Sequence, residues 1–197
     1  MIDIITYIGI FVFSTVGTLK AMEHRFDIFG STIIAFLSSY GGGTLRDLLI
    51  DRKIGWLNDN LALFLVLSGL IFTYLFKNKI YKYEKIIVIL DAIGIGLFTI
   101  LGINIALSYE MNYLYSIIFG VISATFGGLI SDILCNRIPD LSKSGEIYAT
   151  ACLFGGFVYV LLNKFELFIN FDILISVSLI VFIRLFTKLK NIKIPEF

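Results

Sequence analysis

Two glycine-rich stretches, each ending in an acidic residue, hold the side chains of this sequence that are best suited to chemistry. The first, residues 41–47, reads GGGTLRD, and the second, residues 126–132, reads FGGLISD. Both lie inside apolar runs, where an ionisable side chain is costly and marks a functional site. The carboxylates of Asp47 and Asp132 would attract a cation or an ammonium group, and the guanidinium of Arg46 would hold an anionic group. The spacing therefore indicates a path or pocket for ions or small polar solutes.

Two more charged side chains interrupt apolar runs. Lys20 follows a polar and flexible segment at 14–17, so it either lines a path near one membrane surface or anchors its span there. Asp91 lies within IIVILDAIGIG with no basic neighbour, which favours a polar interior, where it attracts ions or pairs with a cation. Arg46 has an alternative role as well, because its side chain could extend outward to the membrane surface.

The composition places these residues in a membrane. Hydrophobic residues make up 58% of the 197 residues and charged residues only 16%, too few for the polar shell of a soluble domain. The net charge of +1 gives no indication of nucleic-acid binding, and one histidine, His24, cannot supply a His-based metal site or triad. No nucleophile–base pair is visible, so we expect a protein that is not an enzyme. Cys135 and Cys152 lie in or beside apolar runs and are interpreted as buried free thiols.

Seven apolar runs are long enough, or nearly so, to span a bilayer, which needs about 20 residues. They are residues 3–22, 29–50, 61–77, 86–107, 113–135, 147–163 and 171–189. With seven spans, all but four of the sixteen Lys and Arg fall on one side; the four are Arg46, Arg52, Lys53 and Lys164. The positive-inside rule then puts the N-terminus outside and the C-terminus in the cytoplasm of a multi-pass plasma-membrane protein.

The sequence also contains a duplication. Residues 8–52 and 93–137 align without a gap at an offset of 85, with identities that include Gly17 with Gly102, Gly42 with Gly127 and Asp47 with Asp132. Each copy holds three spans, so the second copy must be inverted in the membrane, and solute sites usually lie where such copies meet. We therefore predict repeats at 1–85 and 86–168, followed by a seventh helix and cytoplasmic tail at 169–197. The seventh helix is expected to be peripheral, for packing or for contact with a neighbouring subunit.

The glycines fall near the middle of the second and fifth spans. Glycine costs about 1 kcal/mol in a helix relative to alanine, so the symmetric motifs predict that both helices are broken there, with free N–H groups facing a polar cavity. The alternative is that the glycines only permit close packing of helices.

These residues resemble a known family. The run at 41–47, its echo at Gly127, Gly128 and Asp132, and the LDAIGIGLF segment at 90–98 are similar to the bacterial branch of the trimeric intracellular cation (TRIC) channels. The resemblance covers nearly the whole chain and implies an all-α homotrimer with a hydrophilic, potassium-preferring pore in each subunit. It implies no cofactor beyond permeant potassium or sodium, and its partners are copies of the chain, membrane lipids and small ions or solutes. The residues assigned to the pathway are Lys20, Gly41, Gly42, Gly43, Thr44, Arg46, Asp47, Asp91, Gly127, Gly128, Ser131 and Asp132.

The second repeat departs from the first, since Phe126, Ser131 and Ile105 stand where the first has Gly41, Arg46 and Lys20.

Two functions remain open. The leading one is a passive cation channel, in which the three aspartates attract ions while Lys20 and Arg46 tune field and gating. The other is a carrier for glycine or a similar zwitterion, because domains of this bacterial branch are also described as glycine transporters.

Overall fold

The computed structural model describes residues 2–81, 84–143, 145–168 and 171–193, and it confirms the all-α architecture. The described residues form seven α-helices close to the seven predicted spans. They are α1 (Ile2–Glu23), α2 (Ile28–Leu49), α3 (Asn60–Tyr81), α4 (Glu84–Ser108), α5 (Tyr113–Leu134), α6 (Ala149–Lys164) and α7 (Asp172–Lys190), with a short 3-10 helix at Gly55–Asn58 between α2 and α3.

Five of these helices, α1 to α5, are long and apolar enough to cross a membrane. The sixth is apolar but has only 16 residues, about 24 Å at 1.5 Å per residue. The seventh carries charged residues along its length, among them Asp172, Arg184 and Lys188. Helices α1 and α4 are the most buried of the five and form the centre of the molecule, whereas α3 is the least buried.

Equivalent positions of the two repeats start and end their helices in the same way. Asp27 caps α2 by accepting a hydrogen bond from the Gly30 N–H at 2.7 Å, and Asn112, 85 residues later, caps α5 through the Tyr115 N–H at 3.0 Å. Such caps satisfy backbone donors that a helix leaves free at its start. The chain leaves α2 and α5 through Asp51 and Asn136, also 85 apart, with φ of 54° and 52°. The duplication is therefore visible in the backbone.

Small and polar residues join the helices inside the molecule. The Ser14 hydroxyl of α1 donates to the Val66 carbonyl of α3 at 2.6 Å, and the Ser39 hydroxyl of α2 donates to the Ile10 carbonyl of α1 at 3.1 Å. Such bonds hold helices together in a membrane, where apolar burial gives no preference for a neighbouring helix over lipid. Cys135 and Cys152 are buried and free, as expected.

The prediction of broken helices is corrected by the structure. Helices α2 and α5 are continuous through their glycines, and the glycines are used for close contact instead. A Cβ added to Gly42 would lie 2.2 Å from the carbonyl oxygen of Ser123, and one added to Gly127 would lie 2.4 Å from that of Ser38. The backbones of α2 and α5 approach so closely at this point that only glycine fits, which is the alternative that the sequence left open.

The seventh helix is also more than peripheral. It packs against α4 and α6, and the side chain of Arg184 on α7 is only 2% exposed although it carries a charge. The helix therefore contributes a buried cation to the interior of the protein. The expectation of a peripheral role, which was based on the position of α7 outside the duplication, did not include this.

Candidate functional site

Two polar cavities lie at opposite ends of α1 and provide the setting for the charged residues. The first, here called the Asp47 cavity, has a volume of about 240 Å³ and is lined by Asp3 at the start of α1 together with Arg46 and Asp47. The second, the Asp91 cavity, has a volume of about 470 Å³ and is lined by Lys20 near the end of α1 together with Asp91 and Arg184. Asp3 and Lys20 are separated by 17 residues of helix, or about 25 Å.

The two cavities are related by the duplication. Ile2 and Ile105 line the Asp47 cavity, and their partners at the offset of 85, Ile87 and Lys20, line the Asp91 cavity. The α2–α5 contact lies between the halves, and it is symmetric as well, since Gly42 faces Ser123 while Gly127 faces Ser38. The structure thus has two symmetry-related cavities, each lined by residues of both repeats, and a symmetric glycine contact between α2 and α5.

Asp47 is the most heavily bonded carboxylate of the site. Its Oδ1 accepts hydrogen bonds from Arg46 Nη2 at 2.7 Å, Arg46 Nε at 3.0 Å and Arg52 Nη1 at 3.1 Å. Its Oδ2 accepts one from the Gly55 N–H at 3.1 Å. Asp47 is therefore neutralised by two guanidinium groups, and its oxygens have little capacity left for a permeating ion.

Arg46 links the two repeats. Its side chain is 5% exposed, so it does not extend to the membrane surface, and it pairs with its neighbour Asp47 despite the roughly 100° between adjacent positions of a helix. Its Nη1 also donates to the Ser123 hydroxyl of α5 at 3.0 Å. Because this bond crosses the α2–α5 contact beside Gly42, Arg46 ties the Asp47 cavity to that contact.

Lys20 and Asp132 form the corresponding pair in the other half. The ammonium Nζ of Lys20 lies 2.8 Å from Oδ1 of Asp132, with side-chain exposures of 10% and 5%. The pair joins α1 of the first repeat to α5 of the second. The sequence left open whether Asp132 would be unpaired or would meet Lys20 or Arg46, and the geometry selects Lys20.

Asp91 differs from the other two aspartates. It is 9% exposed, lines the larger cavity, and accepts a hydrogen bond from the neutral hydroxyl of Tyr148 at 3.3 Å. Among the residues that the structure describes, no cation lies within ion-pairing distance of it. Of the three acids assigned to the pathway, Asp91 thus has the carboxylate that is most available to an ion in a water-accessible space.

A charged cluster at the mouth of the Asp91 cavity was missed by sequence reasoning. Arg184 donates from Nη1 to Glu146 Oε2 at 2.6 Å, lies 3.3 Å from Asp140 Oδ2 through Nη2, and stacks 4.7 Å from the Tyr148 ring centroid. Lys188 adds a bond to Glu146 at 2.5 Å. The available signal was an arginine in the apolar run LIVFIRLF, the same kind of signal that singled out Asp91.

This cluster keeps its two acids ionised. Burial by itself would raise the pKa of Asp140 and of Glu146, but hydrogen bonds and positive charges outweigh it in both cases. For Asp140 they come from Lys143 and Arg184, and its pKa lies below the usual 3.8. For Glu146 they come from Lys188 and Arg184, and its pKa lies below the usual 4.5.

The remaining pathway residues lie in the Asp47 cavity, at the α2–α5 contact, or elsewhere on α5. Gly43 and Thr44 line the Asp47 cavity, and the Thr44 hydroxyl accepts a hydrogen bond from Trp56 Nε1 at 2.9 Å. Gly41 and Gly127 belong to the contact between α2 and α5, while Gly128 faces the Tyr148 hydroxyl. The Ser131 hydroxyl donates to the Gly128 carbonyl within its own helix at 2.9 Å, so it is engaged.

Comparison with known proteins agrees with this architecture. A sequence profile of the family described as "Glycine transporter" matches residues 3–78 and 88–164. The UPF0126 inner membrane protein YadS of Escherichia coli strain K12 is 34% identical over 154 residues, which is 77% of this chain and 74% of that protein. The UPF0126 membrane protein YvgT of Bacillus subtilis is 32% identical over 178 residues, or 88% of each.

Solved structures show the same fold. The TRIC trimeric intracellular cation channel orthologue from Rhodobacter sphaeroides superposes with a TM-score of 0.90 at 27% identity, covering 97% of this chain and 98% of that one. A prokaryotic TRIC channel gives a TM-score of 0.88 at 30% identity, covering 96% of each. These relatives are channels, which confirms the expectation that the protein is not an enzyme. Since the family profile covers most of the sequence, this multi-pass membrane protein belongs to the Glycine transporter family and has the fold of the TRIC channels.

Proposed function

We propose that this protein is a channel for monovalent cations, with potassium as the preferred ion. The observation that carries the proposal is the pair of symmetry-related cavities at the two ends of α1, each lined by charged side chains and by residues of both repeats. The likeness to solved cation channels supports it. Ions would enter the Asp91 cavity, where the unpaired carboxylate of Asp91 raises their local concentration.

In this proposal the two buried ion pairs keep the pathway between the cavities closed and do not bind the permeating ion. The first pair, Arg46 with Asp47, is linked to α5 through the bond from Arg46 to Ser123. The second pair, Lys20 with Asp132, links α1 to α5. Opening would separate the Arg46–Ser123 bond and the α2–α5 contact so that the cavities join. The role of Asp47 and Asp132 is therefore to hold the cationic side chains in place, which revises the expectation that all three aspartates attract ions directly.

We propose further that the chain assembles as a homotrimer and that the Asp47 cavity opens to the outside of the cell. The first part is supported by the description of the Rhodobacter sphaeroides relative as trimeric, and the second by the distribution of Lys and Arg. Mass photometry in a detergent or nanodisc would measure the number of subunits. Labelling of a cysteine introduced in the 3-10 segment by a membrane-impermeant reagent on whole cells would test the orientation.

The proposed conduction is tested by recording currents from the purified protein in a planar bilayer under a potassium gradient. Discrete currents that reverse near the potassium potential are expected. Asp91→Asn should lower the conductance at low salt about fivefold, since a unit charge at close range in water is worth about 1 kcal/mol. Asp27→Asn is the matched control, because it also removes one carboxylate but lies in an exposed cap that an asparagine can maintain. Reversal near the chloride potential would contradict the proposal.

Carriage of glycine or another small zwitterion is the second candidate, because the matching family is described as a glycine transporter. In a carrier, Arg46 would hold the substrate carboxylate, so Arg46→Ala should abolish uptake of labelled glycine into liposomes. In a channel, the same variant should continue to conduct, with altered gating or selectivity. Glycine uptake without potassium currents would favour the carrier, and uptake that persists in Arg46→Ala would contradict the assigned carboxylate role.

A further inference from the structure

The Asp47 cavity has a wall that cation conduction does not explain. Tyr40 and Trp56 line it beside Asp3 and Asp59. The rings of Tyr40 and Trp56 lie 5.7 Å apart between centroids, and Phe36 packs edge-on against both at 4.9 Å. A potassium pathway needs oxygen ligands and water, and it has no need for aromatic faces.

The aromatic wall is fixed in place before any ligand arrives. The indole N–H of Trp56 donates to Thr44 at 2.9 Å, which holds the ring on α2, and Phe36 supports it from behind. Tyr40 is only 6% exposed, and its buried hydroxyl makes no hydrogen bond within the described part of the chain. A buried hydroxyl without a partner normally costs free energy, so Tyr40, whose side chain lines the cavity, carries a polar group that the described residues leave unsatisfied.

The acids of this cavity differ in their availability. Asp47 is neutralised by Arg46 and Arg52. Asp59 accepts the Ala62 N–H through Oδ1 at 3.0 Å at the start of α3 and also accepts a hydrogen bond from the Tyr7 hydroxyl. Neither Asp59 nor Asp3 has an ion-pair partner among the residues that the structure describes. The cavity thus presents two carboxylates that are not paired with a cation in the described part of the chain, beside the aromatic side chains of Tyr40 and Trp56.

Aromatic faces with nearby carboxylates are a chemical arrangement that recognises organic ammonium ions, because the negative face of the ring attracts a cation whose weak hydration costs little to remove. The volume of about 240 Å³ is below the range of about 300–1,000 Å³ that holds drug-sized ligands, so the ligand must be small. We propose that the Asp47 cavity binds a small alkylammonium cation against Tyr40 and Trp56, with Asp59 and Asp3 supplying the counter-charge.

The inference goes beyond the proposed conduction and does not depend on it. If the protein is a channel, an ammonium ion in this cavity would occupy one mouth of the pathway and reduce the potassium current from that side only. If the protein does not conduct, the same cavity still binds the cation. Binding and current are therefore measured separately.

Trp56 offers a direct probe because it is the chain's single tryptophan. The purified protein in nanodiscs is titrated with choline while tryptophan fluorescence is followed, at constant ionic strength maintained with sodium chloride. The control ligand is 3,3-dimethyl-1-butanol, which has the shape of choline without its charge. Choline should change the Trp56 emission saturably, and the neutral analogue should bind more weakly by roughly threefold to thirtyfold, the worth of a cation–π contact.

Variants locate the site. Asp59→Asn keeps a residue that can cap α3 while removing the charge, and it should weaken choline binding at least about fivefold. Asp3→Asn should weaken it as well, and Asp140→Asn, in the other cavity, is the control that should leave it unchanged. Thermal unfolding of each variant shows whether it is folded. The proposal would be overturned if choline and its neutral analogue bound equally well. It would also be overturned if choline binding were unchanged in folded Asp59→Asn and Asp3→Asn. Both results count whether or not potassium currents are found.

Discussion

Replacing single glycines of α2 by alanine distinguishes the packing role of these residues from a role in breaking the helix. At Gly42, a Cβ would lie 2.2 Å from the Ser123 carbonyl oxygen and 2.9 Å from that of Ile122. Ordinary contacts begin at 3.4 Å, so α2 and α5 would have to separate by about 1 Å. At Gly43, one residue further, the nearest atom is Arg46 Nη2 at 3.7 Å, and the methyl group fits.

The expected energies follow from these distances. Overpacking against a rigid backbone costs about 1–3 kcal/mol, and alanine returns up to about 1 kcal/mol through its better helix propensity. Gly42→Ala should therefore destabilise the protein by about 1–2 kcal/mol, and its Tm should fall by about 2–8 °C, at about 2–4 °C per kcal/mol for a chain of this size. Gly43→Ala should be neutral or more stable by up to about 1 kcal/mol.

Thermal unfolding of the purified variants, followed by size-exclusion chromatography of the heated samples, measures these shifts. The second repeat supplies an internal replicate, since Gly127→Ala meets the Ser38 carbonyl oxygen at 2.4 Å, whereas Gly128→Ala meets the Tyr148 hydroxyl at 3.4 Å. If Gly43→Ala were as damaging as Gly42→Ala, the glycines would be needed for backbone conformation and the packing argument would be refuted. If Gly42→Ala were neutral, the close α2–α5 contact would itself be in doubt.

Three other predictions concern the charged residues. Lys20→Met or Asp132→Asn should each cost about 3 kcal/mol by leaving one buried charge unpaired, whereas the double variant should cost less than their sum; additive Tm shifts would contradict the pairing. Because the pKa of Glu146 is lowered, its contribution to stability is present above the ordinary value of 4.5 and is lost as the pH falls through the lowered pKa. The Tm of the wild type should therefore fall as the pH drops from about 4.5 through the lowered pKa, whereas an acid with an unshifted pKa would cause no such fall. Glu146→Gln should flatten that curve, and identical profiles for the two proteins would contradict the shift. Tyr148→Phe removes the hydroxyl that bonds to Asp91 but keeps the ring against Arg184, so it should cost only about 1 kcal/mol. Tyr148→Ala removes the ring as well and should cost more. Equal losses in the two variants would argue against the stacking of the ring on Arg184.

Much of the fold followed from composition and periodicity. Apolar runs of about 20 residues have few structural options in a bilayer, because a helix is the way a single segment satisfies all its backbone groups there. The seven helices therefore lie close to the predicted spans. The match between 8–52 and 93–137 predicted that Asp27 and Asn112, and likewise Gly42 and Gly127, would take equivalent positions, and the structure places them so.

The partners of the charged residues could not be read from the sequence. Asp47 and Asp132 occupy equivalent positions of the two repeats, yet one is held by Arg46 and Arg52 and the other by Lys20 from a different helix. Which cation reaches which acid depends on how the helices cross, and that is set by side-chain fit along the whole contact. The same holds for Asp91, whose nearest polar partner lies 57 residues away on the chain.

The sequence by itself determined a seven-helix membrane protein with an internal duplication and ionisable groups inside its spans, because bilayer thickness and the cost of buried charge leave little freedom. The tertiary structure alone decided that the glycines serve a backbone contact, that Arg184 of α7 enters the Asp91 cavity, and that aromatic rings meet acids at the other end. Each of these depends on distances between helices far apart in sequence. Local residue patterns do not specify such distances, because they arise only when the helices pack against one another.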